Sequence, residues 1–521
     1  MDTFILAQAS AEYSNWPIAI FLISVAFIVL AIVKLRLHAF VALICAALIV
    51  GWLTGWLMGG EAGYMVNAIG LVGKGFGETA QGVGIVIALA AIIGMCLLES
   101  GAADRIVRTF IRIFGEKHAG WALLLSGFVL SIPVFFDTMF FLVIPIARML
   151  ALRTGKNYLF FVMCIGAGGA ITHSIVPPTP GPLMVGNELG LNLGTIIMAG
   201  IIFGIPPAIA AMYFAKWRDK TMPVPVRAAD GAEASSGVEK PESELPSFFA
   251  SVMPILLPVL LLGAYSFVDM REETDLRKID MLRGSVTSRV DAAFEEKADE
   301  AKEVRAERYK KAFSKEYEAE LDKPAHHSQL HATTKFFGDK VIALAFGAFL
   351  SMLVLMKQAG LSIQKIGDKC GSPLETAGVI ILITSAGGAF GKMIKVSGIA
   401  DTLNHYGHEF GINYILLAWI VTALVRIAQG SATVSMITGV GLMSALLTTT
   451  TLDYHVFYIY LAIGFGSITC SWMNDSGFWI VGRLSGFTEK ETFKSWTPML
   501  TIIAVIGLVE AYVFSKILPF N

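Results

Sequence analysis

Charge is scarce in this chain. Only 16% of its 521 residues are Asp, Glu, Lys or Arg, against roughly a quarter in ordinary soluble domains. Hydrophobic residues make up 55%, and the mean hydropathy is +0.66. So little charge cannot cover a water-facing surface, which makes lipid the solvent for much of it. Neither sign dominates: 40 basic against 41 acidic residues leave a net charge of −1, giving no reason to expect a nucleic-acid partner. Cysteine is sparse too. Cys45, Cys96, Cys164, Cys370 and Cys470 are scattered, mostly within apolar runs, and form no CxxC pair, so neither a disulfide frame nor a metal site is expected. No HExxH, GxSxG or GxGD arrangement occurs, and no GxxxxGK[ST]. An intramembrane hydrolase or a nucleotide-driven pump therefore has no recognisable site, and no cofactor is expected. Residues 1–10 lack a basic n-region and do not resemble a cleaved signal peptide.

What is abundant is the long apolar run. A helix needs about 20 apolar residues to cross roughly 30 Å of hydrocarbon. In the first half, 17–33, 39–57, 84–98 and 195–214 suit one crossing each; in the second, 248–268, 336–356, 376–391 and 498–514 do. Four longer runs, 119–150, 158–193, 412–447 and 454–480, are each interrupted by polar or Pro-rich residues. Treating 119–150 and 412–447 as re-entrant hairpins leaves five crossings per half. With the N-terminus outside, Lys34, Arg36, Arg105, Arg108, Arg112, Lys117, Arg148, Arg153, Lys156, Lys216, Arg218, Lys220, Lys357, Lys365, Lys369, Arg483, Lys490 and Lys494 all fall in cytoplasmic loops. The outer short loops keep little beyond Lys74, Lys392, Lys395 and Lys516, a strong positive-inside pattern. It predicts an inner-membrane protein with both termini outside.

Two internal matches share one offset. Ser100-Gly101-Ala102-Ala103-Asp104 parallels Ser397-Gly398-Ile399-Ala400-Asp401, and 397 − 100 = 297. Gly169-Ala170-Ile171-Thr172-His173-Ser174 parallels Gly466-Ser467-Ile468-Thr469-Cys470-Ser471, and 466 − 169 is again 297. Since five crossings is odd, the halves are expected in opposite orientation. The expected architecture is thus an all-α polytopic membrane protein, an inverted repeat of two five-span halves, each with a re-entrant hairpin and a broken helix. Its segments are a first repeat (1–214), a cytoplasmic linker (215–247), the first span of the second repeat (248–268), a charged extramembrane insertion (269–335) and the rest of the second repeat (336–521). Within the insertion, 291–321 is densely charged and helix-forming, either a solvated helix or a docking and oligomer contact.

Irregular backbone at membrane depth is tolerated only where it lines a polar cavity or is buried in protein. It leaves helix N-termini, with free N–H groups and partial positive charge, aimed inward. The chemistry is therefore expected at the four interruptions. Asp137 sits among Ile132, Pro133, Val134, Phe135, Phe136 and Phe140, where an isolated anion would cost several kcal/mol; it is a proton-coupling residue or a capping residue of the hairpin tip. His173 is the other titratable candidate, for proton or substrate, or a structural hydrogen-bonded residue. The hydroxyls of Thr172, Ser174, Thr179, Ser431 and Thr433 suit a polyol chain or bond back to helix carbonyls. Gly181, Gly430 and Gly477 permit close approach of backbone to a ligand or simply make turns. Asn474 and Asp475 stand at the second helix break as ligands for substrate hydroxyls or a proton, or as caps. Arg426 would pair with a substrate carboxylate or neutralise a buried acid.

The segments around these residues resemble the signature segments of the gluconate:proton symporter (gluconate permease) family, in the ion-transporter superfamily. They are Ile132-Pro133-Val134-Phe135-Phe136-Asp137, the proline-rich Thr172-His173-Ser174-Ile175-Val176-Pro177-Pro178-Thr179-Pro180-Gly181-Pro182, Arg426-Ile427-Ala428-Gln429-Gly430-Ser431-Ala432-Thr433-Val434, and Asn474-Asp475-Ser476-Gly477-Phe478-Trp479. The similarity extends over about residues 17–516, and the 269–335 insertion is longer than that pattern leads one to expect. The resemblance implies a homodimer that moves its substrate by an elevator motion, and symport of gluconate or a related sugar-acid anion with H⁺. Carried over by position, it implies a substrate site at Asp137, Thr138, His173, Ser174, Thr179, Gly430, Ser431, Thr433, Asn474 and Asp475, with Asp137 and His173 coupling the proton. Residue types leave D-serine or another small carboxylate, Na⁺ coupling and a passive channel open as alternatives.

Overall fold

The computed structural model describes residues 16–57, 64–227, 241–268, 328–398, 402, 413–447 and 452–520, and among these no strand occurs. The charged 291–321 stretch and residues 399–401 of the repeated motif lie outside the described residues. The first half runs α1 (Trp16–Val33), α2 (Ala39–Leu57), α3 (Tyr64–Glu99), α4 (Ala102–Phe114), α5 (Ala119–Leu130), α6 (Phe136–Thr154), α7 (Tyr158–Ile175), α8 (Pro180–Glu188), α9 (Leu193–Phe203) and α10 (Ile205–Thr221). The second begins with α11 (Phe248–Val268). It continues with α12 (Ser328–Phe337), α13 (Lys340–Ala359), α14 (Ile363–Lys369), α15 (Gly371–Val396), α16 (Tyr414–Gln429), α17 (Ala432–Leu446), α18 (Phe457–Gly466), α19 (Ser476–Ser485) and α20 (Glu489–Ile517). By length and composition, eight helical stretches among the described residues can cross a membrane. The chain is a polytopic all-α membrane protein.

Local rules account for the boundaries. Asn192, Asp339, Asn413 and Thr488 cap the starts of α9, α13, α16 and α20 with their side chains, each satisfying an N–H group that has no partner inside its helix. Gly155, Gly360 and Gly486 end α6, α13 and α19 in the left-handed conformation. One element departs from expectation. The basic loop expected after residue 100 is the amphipathic helix α4, with Ala102, Ala103, Ile106 and Val107 buried and Arg108 held by both oxygens of Asp104 at 2.9 and 2.8 Å. Its alternation at helical spacing is what turns a basic loop into a helix lying along the protein.

The order of elements repeats. α5 and α6 form a hairpin, α7 and α8 a helix broken at 176–179; α16 and α17 form the second hairpin, α18 and α19 the second broken helix. The starts of α6 and α17 differ by 432 − 136 = 296, and those of α8 and α19 by 476 − 180 = 296. Gly101 and Gly398, equivalent in the repeated motif, share the left-handed conformation at φ 77° and 76°. At 12, 16 and 15 residues, α5, α16 and α17 reach about 18, 24 and 22 Å, short of the hydrocarbon thickness of about 30 Å. Glu116 and Arg153, flanking the open end of the first hairpin, meet at 3.1 Å.

Two separate groups of polar contacts mark the ends of the helices. One joins Arg105 to the carbonyls of Glu242, Leu245 and Pro246, Lys369 to Glu99 at 2.6 Å, Arg227 to Glu491 and Tyr158 to Ser485. The other joins Lys392 to Glu78, Lys395 to Glu188, Lys340 to the Gly82 carbonyl and His455 to Pro519. Between them, α3 and α15 make the most extensive helix pairing. Gly75 lets them approach, since a Cβ there would lie 2.7 Å from Lys392 Cβ, the close packing of small residues that membrane helices use in place of a hydrophobic drive.

Candidate functional site

The two hairpin tips and the second helix break, with the last turn of α7, enclose one cavity of about 480 Å³. The first tip contributes Phe135, Phe136, Asp137 and Thr138, and α7 contributes Ala170, His173 and Ser174. The second tip adds Arg426, Gln429, Gly430, Ser431, Ala432 and Thr433; the break adds Ile468, Asn474, Asp475, Ser476 and Gly477. Thr376 and Ile380 of α15 and Trp496 and Leu500 of α20 complete the wall. Three helices, α6, α17 and α19, begin at this cavity, so three sets of unpaired backbone N–H groups and three partial positive charges converge on it.

A polar network holds the second half of the site. Asp475 caps α19, accepting from the Gly477 N–H at 3.0 Å. It also accepts from the Ser471 hydroxyl and from the Arg426 guanidinium, which donates in addition to the Gly430 carbonyl. Trp496 Nε1 donates to Ser471 Oγ at 2.9 Å. Arg426 and Asp475 are nearly fully enclosed, at 4% and 9% side-chain exposure. An ion pair this buried is tolerable only because further hydrogen bonds satisfy both partners. Asn474 donates from Nδ2 to the Ile427 and Ala428 carbonyls at 2.9 and 3.2 Å, stitching the break to the last turn of α16. Gly430 makes this approach possible. It has φ +84°, and a Cβ there would collide with the Asn474 carbonyl, so this position tolerates only glycine.

The described hydrogen bonds do not use every buried polar atom here. Arg426 Nε, Gln429 Oε1 and Asn474 Oδ1 are buried without a partner, although buried polar groups are nearly always paired.

The comparisons with known proteins bear on the same segments. A family model described as GntP family permease matches residues 16–288 and 319–517. The chain belongs to the GntP permease family. A gluconate permease of Pseudomonas aeruginosa is 30% identical over 95% of this chain and 97% of its own length. The high-affinity gluconate transporter of Escherichia coli is 28% identical over 96% and 100%, and the Gnt-II system L-idonate transporter of the same organism is 27% identical over 96% and 100%. In fold, the chain is similar to the YdaH transporter of Alcanivorax borkumensis, with a TM-score of 0.62, 11% identity, and coverage of 93% of this chain and 100% of that one. The internal stretch left unmatched by the family model, 289–318, falls inside the charged insertion.

Nine of the ten sequence-predicted site residues line the cavity of this GntP permease; Thr179 does not. Its hydroxyl donates to the Val176 carbonyl at 2.9 Å, holding the first helix break. Ser174 bonds back to the Ala170 carbonyl at 2.8 Å, and Thr172 reaches across to Phe128 at 2.9 Å. Three of the five hydroxyls expected to meet a polyol are thus committed to carbonyls. Asp137, flanked by aromatics in sequence, is exposed rather than buried: Phe136 and Phe140 turn into the core, leaving the carboxyl on the cavity. His173 is half-buried on the cavity wall. The sequence reading missed Gln429 and Trp496 as cavity residues. An amide one helical turn beyond Arg426 was a usable signal for Gln429; nothing near Trp496 set it apart from the rest of its helix.

Proposed function

We propose that this GntP permease imports gluconate or a closely related small sugar-acid anion by proton symport. The observation that carries the reading is the convergence, on one cavity, of three helix N-termini, the buried Arg426 and the accessible Asp137. Helix ends and a guanidinium suit a carboxylate. Relatives named gluconate permease and L-idonate transporter support a polyhydroxylated monocarboxylate as substrate.

Electrostatics supports the proton. The cavity already holds Asp137 and Asp475 against the single guanidinium of Arg426. An entering anion adds a third negative charge in a confined space, and a proton on Asp137 offsets that charge. Anion and proton then bind best together, which is the thermodynamic content of symport. His173, on the same wall, is the second proton acceptor in this reading.

The sidedness follows the charge pattern. Arg105, Lys369, Arg227 and Tyr158, with their partners, belong to the loops assigned to the cytoplasm; Lys392, Lys395, Lys340 and His455 belong to those assigned outside. Both hairpins then re-enter, one from each side, in an inner-membrane protein with both termini outside.

The test is labelled gluconate uptake into proteoliposomes, with and without an inward proton gradient. Wild type should accumulate gluconate only with the gradient, and Asp137→Asn should lose the dependence. Gradient-driven uptake that survives Asp137→Asn moves the proton to His173 or Asp475. Accumulation driven equally by a Na⁺ gradient, or no gluconate uptake by folded protein, overturns the reading.

A further inference from the structure

The hydroxyls of Thr172, Ser174 and Thr179 have no proton left to give a polyol, because each donates to a backbone carbonyl. What the cavity offers in their place is amide oxygen. Gln429 is 4% exposed; its Nε2 donates to the Ser431 carbonyl at 3.1 Å, and its Oε1 is buried without a partner. Asn474 repeats the arrangement, with Nδ2 donating to Ile427 and Ala428 and Oδ1 unpartnered. The committed amide nitrogens fix which way both amides face, since a flipped amide would set oxygen against carbonyl oxygen. Beside them Arg426 keeps Nε free, while Nη1 donates to Gly430 and Nη2 to Asp475.

We propose that Gln429 and Asn474 are the specificity-determining residues of this permease, their oxygens accepting hydrogen bonds from hydroxyl groups of the substrate while Arg426 Nε donates to its carboxylate end. The proposal rests on the gluconate reading and narrows it to hydroxylated acids. Two buried acceptors left unpaired by the protein select against a carboxylate without hydroxyls, because such a ligand brings them no donor. Gln429 is the cleaner of the pair to test, since Asn474 also holds the end of α16.

The experiment is competition against labelled gluconate uptake by monodeoxygluconates, each lacking one hydroxyl, by hexanoate and by D-serine, in wild type, Gln429→Leu and Gln429→Glu. In wild type at least one monodeoxygluconate should compete about tenfold less well than gluconate, and hexanoate worse still. Gln429→Leu should raise the gluconate KM about tenfold and bring that analogue to within about twofold of gluconate. Gln429→Glu keeps oxygen acceptors while losing the Nε2 donor, so it should weaken every anion alike and preserve the ratio. If Gln429→Leu leaves all ratios as in wild type, or both variants lower uptake equally with ratios unchanged, Gln429 is structural and the proposal falls while the gluconate reading stands. D-serine competing better than gluconate in wild type, or no gluconate uptake at all, overturns both.

Discussion

Arg426 and Asp475 are nearly sealed from solvent, and neither has a second full charge to pair with among the residues that wall the site on that side. Removing one partner of such a pair strands the other, at a cost of about 3–5 kcal/mol, whereas replacing both with neutral groups costs far less. Asp475→Ala and Arg426→Met should therefore each lower the melting temperature in detergent more than the Asp475→Ala/Arg426→Met double variant does. Additive losses in the double variant would show that the two charges are stabilised independently. At this scale the sequence was informative about residue type and poor on commitment. A charged residue amid apolar ones announces itself by its desolvation cost, which is how Asp137 was found, whereas Arg426 and Asp475 were found by their places at the second tip and the second break. Whether Ser174 or Thr433 is free for a ligand depends on a rotamer and a nearby carbonyl, and nothing in the primary sequence encodes that choice locally. Burial misleads for the same reason: Asp137 has aromatic neighbours in sequence, but they pack behind it.

The elements were more legible. Proline and polar residues inside a run otherwise long enough for a membrane helix mark a break, because hydrocarbon leaves unpaired backbone with nothing to bond. All four interruptions are breaks or tips in the structure. The missed features are helices whose sequence does not declare their length: α3 has 36 residues where the apolar run suggested 15, since its glycine-rich first half is held by packing on α15 rather than by hydropathy. The short arms of the hairpins lead to a further expectation. In a chain stripped of its native cysteines, Glu116→Cys and Arg153→Cys should react with an impermeant thiol reagent from the cytoplasmic side, and Asp453→Cys from the outside. Thr138→Cys, at the first tip, should react slowly and be protected by gluconate. Free reaction of Thr138→Cys from the outside, unaffected by substrate, would mean that the first hairpin crosses the bilayer as two full spans.

At the scale of the whole molecule, two halves of matching order share one site, and the feature that breaks the match is the charged insertion after α11. The family model passes over 289–318, while every cavity residue lies in matched sequence. The helices on either side of the insertion, α11 and α13, meet near Gly338. A Cβ on Gly338, just before α13, would lie 2.8 Å from the Leu261 carbonyl of α11, so the chain on either side is already adjacent and need not be held together by what lies between. Deleting 289–318 leaves 269–288 and 319–337 to close a short gap, and loop-closure entropy changes only slowly with such shortening. Gluconate uptake by the deleted protein should stay within about twofold of the full chain at equal membrane level. The particle size in detergent separates the two roles considered for the segment. An unchanged size leaves it a solvated helix, a smaller particle with intact uptake makes it an oligomer contact, and a tenfold loss of uptake would tie it to the transport cycle itself.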